Sequence, residues 1–260
     1  MQVFTLASDP VRLTSVLVVG SRRALLVDTG AGPDQATRLL AAVRQITDLP
    51  LAIANTHDHW DHFFGNPTFA EAGVTGFHGS PAFVRDSPGS AWLQHAEASE
   101  HAFDLPGPED LAVPIEPLED GDTLELGDGE VVEALVATGH TDTDLVLRVG
   151  PLLLVGDLVE EGAPPQVGLD ASPVAWVRTL ERLVEVPGIT HVVPGHGRPV
   201  DLDFVRTQRT DLAAFAASAD ADDPAVRADL PARMATSLLA APGAPVAGTE
   251  VLGVRVTRIL

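Results

Sequence analysis

The chain has 260 residues, a formal net charge of −21 and no cysteine or tyrosine, and every basic residue is an arginine. This length suits one large domain or two small ones with an ample core, and the acidity works against binding to nucleic-acid phosphates and anionic membrane surfaces. The missing cysteines exclude disulfides, thiolate nucleophiles and Cys-ligated metals, so any metal site must use His, Asp, Glu or water.

The opening MQVFTLASDPVRL has neither a basic start nor an apolar h-region. No run is long enough to span a bilayer, so a cytoplasmic location is expected. VRLTSVLVVGSRRALLVDTG reads as two strands around Gly20-Ser21, and PDQATRLLAAVRQI as a helix with Pro33 in its first turn. LAIAN is a short, fully apolar strand of a sheet covered on both faces. Pro67 to Ala72 reads as a short helix and VTGF as a strand. Residues 80–117 read as an irregular, lid-like insert rich in proline and glycine, with one helix near Ala91–Ala102.

Strand signals return in DTLEL, EVVEALVAT, DLVLRV and PLLLVGD. SPVAWVRTLERLVEV is a helix capped by Ser172 with Pro173 at its first position, and ITHVVPGHG is a strand entering a Gly-rich turn. DLDFVRTQRTDLAAFAASA and PAVRADLPARMATSLLAA read as helices within about 201–241, and VLGVRVTRIL as a closing strand. Strands mixed with helices indicate an α/β protein whose sheets are covered by helices, organised as a single domain over 1–260.

The stretch NTHDHWDH at 55–62 follows the apolar LAIA. In extended chain His57, His59 and Asp61 share a side, with His62 next to them, giving four potential ligands in six residues. Imidazole and carboxylate both suit zinc, and imidazole also suits iron. Three further candidates stand at the ends of apolar strands beside glycine: His140 in TGHT, Asp157 in LLLVGD and His196 in VPGHG. Ligands at strand ends on one rim of a sheet can converge.

These motifs resemble the metallo-β-lactamase superfamily, whose hallmark is H-x-H-x-D-H followed by His, Asp and His at separate strand ends. Here His57, His59, Asp61 and His62 fill the first signature, and His140, Asp157 and His196 the rest; Asp28 in LLVDTG matches an early aspartate that supports the metal loop. The resemblance covers about Val11 to His196 and implies an αββα sandwich with a dinuclear site at one edge. It implies that His57, His59 and His140 bind one metal, that Asp61, His62 and His196 bind a second, and that Asp157 bridges them. The expected cofactor is two zinc ions per chain, with iron or manganese as alternatives. The expected function is a hydrolase that uses a metal-bridging hydroxide on a small ester, thioester, lactone or amide, with Asp157 and Asp61 as catalytic carboxylates.

Aspartate at 157 is shared with thioesterase-like and lactonase-like branches, whereas classical zinc β-lactamases carry cysteine there. The alternative is a mononuclear iron oxidoreductase of the persulfide dioxygenase kind, using only the first triad. TGHTDTD departs from the family's PGHT, and Asp142 and Asp144 are candidates to orient His140. His78, His95, His101 and His191 match no ligand position and are expected to be surface or structural. Phe63, Phe64, Phe69, Phe83, Trp92, Phe103, Pro164 and Pro165 fall in segments expected to wall the site, Phe63 and Phe64 being candidates for the core instead. With Arg85 the lone arginine in those segments, the expected substrate is an uncharged, fairly hydrophobic small molecule, with no nucleic-acid or membrane partner.

Overall fold

Alternating apolar side chains in successive strands set the layers of the fold. The computed structural model describes residues 1–9, 11–100, 105–217 and 248–260. In β2 (Leu13–Val19) and β3 (Ala24–Val27), Val16, Val18, Leu25 and Val27 face one way. They join Leu145, Leu147 and Val149 of β9 (Leu145–Val149) and Leu152 and Leu154 of β10 (Leu152–Glu160) in one core. The opposite faces meet helices. Leu17, Ala24 and Leu26 pack with Leu39, Ala42 and Val43 of α1 (Pro33–Ile46). Val146, Leu153 and Val155 pack with Trp176 and Leu180 of α6 (Pro173–Val184) and with Val205 and Leu212 of α7 (Leu202–Ala216). Helix, sheet, sheet and helix form four layers, the αββα sandwich that the motifs implied.

The remaining strands are β1 (Gln2–Ser8), β4 (Leu51–Ala54), β5 (Gly76–Gly79), β6 (Glu116–Pro117), β7 (Thr123–Gly127), β8 (Glu130–Val136), β11 (His191–His196), β12 (Thr249–Val251) and β13 (Val254–Arg258). Hydrogen-bonded neighbours run β6-β5-β4-β3-β2-β11-β10-β9-β8-β7, with β1 on β2 and β13 on β1. The two half-sheets meet through one antiparallel pair, Leu13 with His196. Since β3, β4 and β5 are mutually parallel, and β10 and β11 likewise, several strands end on one rim.

Most elements fall where the sequence places them, and four differ. β1 carried no strand reading, yet it pairs along its length with β2 and covers Val3 and Leu6. VLGVRVTRIL is a hairpin, not one strand: Leu252 and Gly253 turn with φ of 50° and 78° between β12 and β13. β10 runs past Asp157 to Glu160. The largest difference is at 80–117, where α4 (Pro81–Glu100) is a continuous helix and α5 (Pro108–Leu111) a short one. Pro88 and Gly89 suggested irregular chain, but both lie on the exposed side of α4, while Phe83, Ala91 and Ala98 pack under it against Trp60, Phe63 and Phe64. Tertiary burial overrides the local penalty. The helix expected over 224–241, together with His101 and Phe103, lies outside the described residues.

Proline in a helix interior removes one hydrogen bond and costs about 3 kcal/mol. Pro88→Ala is therefore expected to raise the thermal midpoint by several degrees, read by circular dichroism. An unchanged or lower midpoint would mean that α4 is held as two segments around Pro88.

Candidate metal centre

The rim that collects the strand ends also collects the seven candidate ligands. His57 follows β4, and α2 (Trp60–Phe63) begins directly after His59, so the turn from strand into helix places His57, His59, Asp61 and His62 together. His140 follows β8, Asp157 lies inside β10, and His196 ends β11 at the seam. Ligand atoms of His57, His59 and His140 lie within 4.8 Å of one another, as do those of His57, His62 and Asp157, and those of Asp61, His62 and His196.

Four of the five imidazoles are held by their far nitrogens, which decides the atom that each turns to the centre; the far nitrogen of the fifth, His140 Nδ1, has no hydrogen-bond partner. His62 Nδ1 lies 2.9 Å from Asp28 Oδ2, leaving Nε2 inward. His196 Nδ1 lies 3.0 Å from the Val11 carbonyl, and His57 Nδ1 lies 3.1 Å from Thr56 Oγ1. His59 is the reverse case: its Nε2 meets Asp170 Oδ2 at 2.9 Å, and its Nδ1 faces His140 Nε2 at 3.0 Å. Two imidazole nitrogens sharing a tetrahedral zinc stand roughly 3.3 Å apart. Asp157 sits between the two histidine groups, with Oδ1 3.3 Å from His62 Nε2 and Oδ2 3.7 Å from His140 Nε2 and 3.4 Å from His196 Nε2. Asp61 Oδ2 lies 3.2 Å from His196 Nε2.

Buried atoms with no hydrogen-bond partner test whether these residues fit a metal. His57 Nε2, His62 Nε2 and Asp157 Oδ1 are such atoms, and all three belong to one cluster. A buried polar atom left unpaired costs about 1–3 kcal/mol, and nitrogen and carboxylate donors of this kind are the set that binds zinc or iron. The residues fit the group.

Backbone geometry keeps the centre open. Asp28 stands at φ 63°, and its carboxylate accepts from Thr56 N and Thr56 Oγ1, each at 2.8 Å. Gly156, at φ 54°, passes so close to Thr56 that a Cβ would lie 2.6 Å from Oγ1. A Cβ on Gly195 would collide with Asp157 Oδ1.

The charge states follow from burial and neighbours. Burial, then the charges of His62, His59 and His140, holds His57 well below its usual range. Burial and His59 lower His140 to about 4. Burial opposes protonation of His62 as well, yet Asp157, Asp61 and Asp28 together raise it well above its usual range. His196 is raised too, against burial, by Asp157 and Asp61. His59 is pushed up to about 9 because the Asp170 hydrogen bond and charge outweigh its burial. Asp157 stays well below the carboxylate range despite burial, through His196 and His62. Metal ions arriving here replace protons on histidines.

A sequence model of the metallo-β-lactamase superfamily matches residues 9–196. The chain belongs to the metallo-β-lactamase superfamily. No curated protein matches its sequence. Among solved structures, a metallo-β-lactamase from Pontibacter korlensis is 22% identical with a TM-score of 0.62, over 82% of this chain and 95% of that one. The protein TTHA1623, solved in a di-iron-bound form, is 28% identical with a TM-score of 0.62, over 75% of this chain and 92% of that one. VMB-1 is 18% identical with a TM-score of 0.60, over 83% and 94%.

For this superfamily member the structure also places the neighbouring residues: Phe63, Phe64, His78, His95 and His191 lie as the sequence leads one to expect, while Asp144, Phe69 and Phe83 differ. Asp144 is buried and accepts from the backbone N–H of His140 at 3.0 Å and of Thr141 at 3.1 Å, so it fixes the turn and not the imidazole; Asp142 is exposed. Phe63, Phe64, Phe69 and Phe83 are core, Pro165 is buried, and Trp92 is exposed. His95 Nε2 bonds the Pro106 carbonyl at 3.0 Å, His78 lies 3.9 Å from Glu116, and His191 is exposed; none joins the cluster. Two residues escaped sequence reasoning. Asp170 holds His59 across 111 positions, with no motif around it to mark the contact. Glu160 is buried next to the centre and pushed up to about 8 by burial and by Asp157; the acidic end of LLLVGDLVEE was the available signal.

Asp170 fixes which nitrogen of His59 faces inward, and losing such a partner typically costs 10–100-fold in metal affinity. Asp170→Ala should weaken the tightest metal step by about that factor in a chelator-competition titration; unchanged affinity would leave Asp170 without this role. The metal-free protein should also respond to pH. His59 rises from 6.5 to about 9, so its contribution to stability is complete below pH 6.5 and is lost as pH climbs through 9. His62 and His196 are raised and act in the same direction. Thermal unfolding in chelator should show falling stability across that window, with a shallower fall in Asp170→Ala. A stability flat from pH 6.5 to 9 would contradict these charge states.

Proposed function

We propose that this protein is a dinuclear metal-dependent hydrolase acting on a small, uncharged and fairly hydrophobic ester, thioester, lactone or amide. The observation that carries the reading is the position of Asp157, with one oxygen toward His62 and the other toward His140 and His196. His57, His59 and His140 are the residues to hold one metal, and Asp61, His62 and His196 the other, with Asp157 shared. Zinc suits this donor set, and iron and manganese are the alternatives; TTHA1623, a relative at 28% identity, is described in a di-iron-bound form.

Two metal ions in such a site supply Lewis acidity and a water ionised near neutral pH. The protein's own residues do the rest. Asp157 and Asp61 hold the negative charge that keeps the cations in place, and Asp61, near His196, is placed to take the proton released when water adds to the acyl carbon. Asp28, Thr56, Val11 and Asp170 hold the histidine rings in orientation. Water adds to the acyl carbon, the bond to the leaving oxygen, sulfur or nitrogen breaks, and the proton passes to the leaving group.

The environment supports an uncharged substrate. The chain carries a net charge of −21, and three arginines are paired with carboxylates: Arg198 with Glu161 at 2.8 Å, Arg206 with Asp203 at 2.7 Å and Arg85 with Asp86 at 2.6 Å. This favours thioesterase-like or lactonase-like chemistry over binding of glutathione thioesters or β-lactam carboxylates. Among the described residues, no helix is long and apolar enough to cross a membrane.

Metal analysis of purified protein, coupled to turnover of an ester and lactone panel, tests the reading. Two metals per chain and an Asp157→Asn variant that folds but loses several orders of magnitude in kcat are expected. One iron per chain with oxygen consumption would replace the hydrolase by a mononuclear dioxygenase, and near-normal turnover of Asp157→Asn at saturating metal would remove Asp157 from the bridge.

A further inference from the structure

Asp58 fills an unspecified position of the first ligand motif, between His57 and His59. Both oxygens of its carboxylate are nonetheless engaged. Oδ1 accepts from Thr143 Oγ1 at 2.8 Å and Oδ2 from Ser90 Oγ at 2.5 Å, while Asp58 N donates to Thr143 Oγ1 at 3.2 Å. Thr143 lies three residues after His140 and 85 positions from Asp58. This reciprocal pair therefore joins the two chain segments that carry His57, His59 and His140, the three ligands of the first group. Across the same junction His59 Nδ1 faces His140 Nε2 at 3.0 Å.

Thr143 is itself held on several sides. It is buried, its N–H donates to Thr141 Oγ1 at 3.1 Å, and its carbonyl accepts from Ser80 Oγ at 2.6 Å. Thr141 Oγ1 donates to Asp144 Oδ1 at 2.8 Å, and Asp144 accepts from His140 N. Each threonine hydroxyl thus donates to a carboxylate and accepts from a backbone N–H, which fixes its direction. The other partner of this network is α4. Ser80, directly before the helix, accepts from Phe83 N at 3.1 Å and caps its start. Ser90 reaches Asp58, and one turn later Gln94 Oε1 accepts from Trp60 N at 3.1 Å. The helix is therefore pinned to both ligand-bearing segments, at Thr143 through Ser80 and at Asp58 and Trp60 through Ser90 and Gln94.

We propose that Asp58 is a positioning residue for the first metal. Through Thr143 it sets the spacing of His57 and His59 against His140, and through Ser90 it makes the docking of α4 part of the same unit. Metal binding and helix docking are then linked: a metal at this triad tightens α4, and a loosened α4 weakens the metal by the same factor. The inference rests on the assignment of His57, His59 and His140 to one metal, and not on which bond the enzyme hydrolyses. Its action differs from that of Asp170, which orients one ring, whereas Asp58 sets the distance between two segments. The backbone bond from Leu145 N to the Thr56 carbonyl, at 2.7 Å, joins those segments without the Thr143 hydroxyl. Loss of the hydroxyl therefore leaves the fold in place and loosens the spacing of the ligands.

The full chain is stripped of metal and titrated with zinc against a chelator, as the wild type, Thr143→Val, Thr143→Ser, Ser90→Ala and Ser99→Ala. Hydrogen exchange of α4 is followed with and without zinc. Thr143→Val should weaken zinc binding by about 10–100-fold and Ser90→Ala by about tenfold. Thr143→Ser keeps the hydroxyl and should keep the wild-type affinity. Ser99 bonds to His95 in its own helix, and Ser99→Ala should match the wild type. In the wild type zinc should slow exchange around residues 90–94, and Ser90→Ala should lose that slowing by the factor that it loses in affinity. A purely structural role would lower the thermal midpoints with and without zinc alike and leave the affinity unchanged; that result would overturn the proposal. Equal losses in Thr143→Val and Thr143→Ser would overturn it too, as would zinc-dependent protection of α4 that persists in Ser90→Ala. Should Thr143→Val fail to fold, the affinity and exchange of Ser90→Ala decide alone. Ester turnover is measured on the same zinc-loaded samples. A wild type that shows the linked effects yet hydrolyses no ester would remove the hydrolase reading and leave the positioning role standing, whereas no zinc uptake by the wild type would overturn both.

Discussion

The electrostatic constraint at this edge of the sandwich is the burial of two carboxylates, Asp61 and Asp157, among five imidazoles. An ionised carboxylate removed from water needs a compensating cation within a few ångströms. Protons on His62 and His196 supply that charge in the metal-free protein, and so both histidines sit above their usual range. Metal ions would supply it too, and would also satisfy His57 Nε2, which has no hydrogen-bond partner and belongs to a histidine held below its usual range. The same pairing therefore links stability, metal affinity and pH response.

The scaffold is arranged to keep these groups from relaxing apart. Strands of both half-sheets end on one rim, and the single pair between Leu13 and His196 ties the halves where the ligands meet. Asp28 adopts a left-handed conformation, which costs a non-glycine residue of order 1–3 kcal/mol, and its carboxylate spans Thr56 and His62 in return. Thr29 N then bonds the His62 carbonyl at 2.8 Å, so the turn after β3 supports α2. Gly156 and Gly195 keep side chains out of the space that Thr56, His62 and Asp157 occupy.

The sequence was most legible where local pattern and tertiary demand agree. Apolar runs bounded by turns marked β2, β3, β9 and β10, the Ser172-Pro173 pair marked the start of α6, and histidine and aspartate at strand ends marked all seven residues that the structure brings together. It was least legible where long-range packing decides. α4 forms across Pro88 because Phe83, Ala91 and Ala98 are buried beneath it, a cost and a gain that lie far apart in the chain. Phe69 and Phe83 looked like pocket residues because they border the site in sequence, but the core claims them, as it does Phe63 and Phe64, which the sequence already offered as core candidates. Asp170 could not be singled out because its partner His59 is 111 positions away.

The most direct measurement of the central claim is anomalous diffraction from crystals of the zinc-loaded protein. The account predicts two peaks roughly 3.5–4 Å apart, as in other two-metal sites, one among His57, His59 and His140 and one among Asp61, His62 and His196, with Asp157 touching both. A single peak at full zinc occupancy, or a peak that leaves Asp157 uncoordinated, would contradict it.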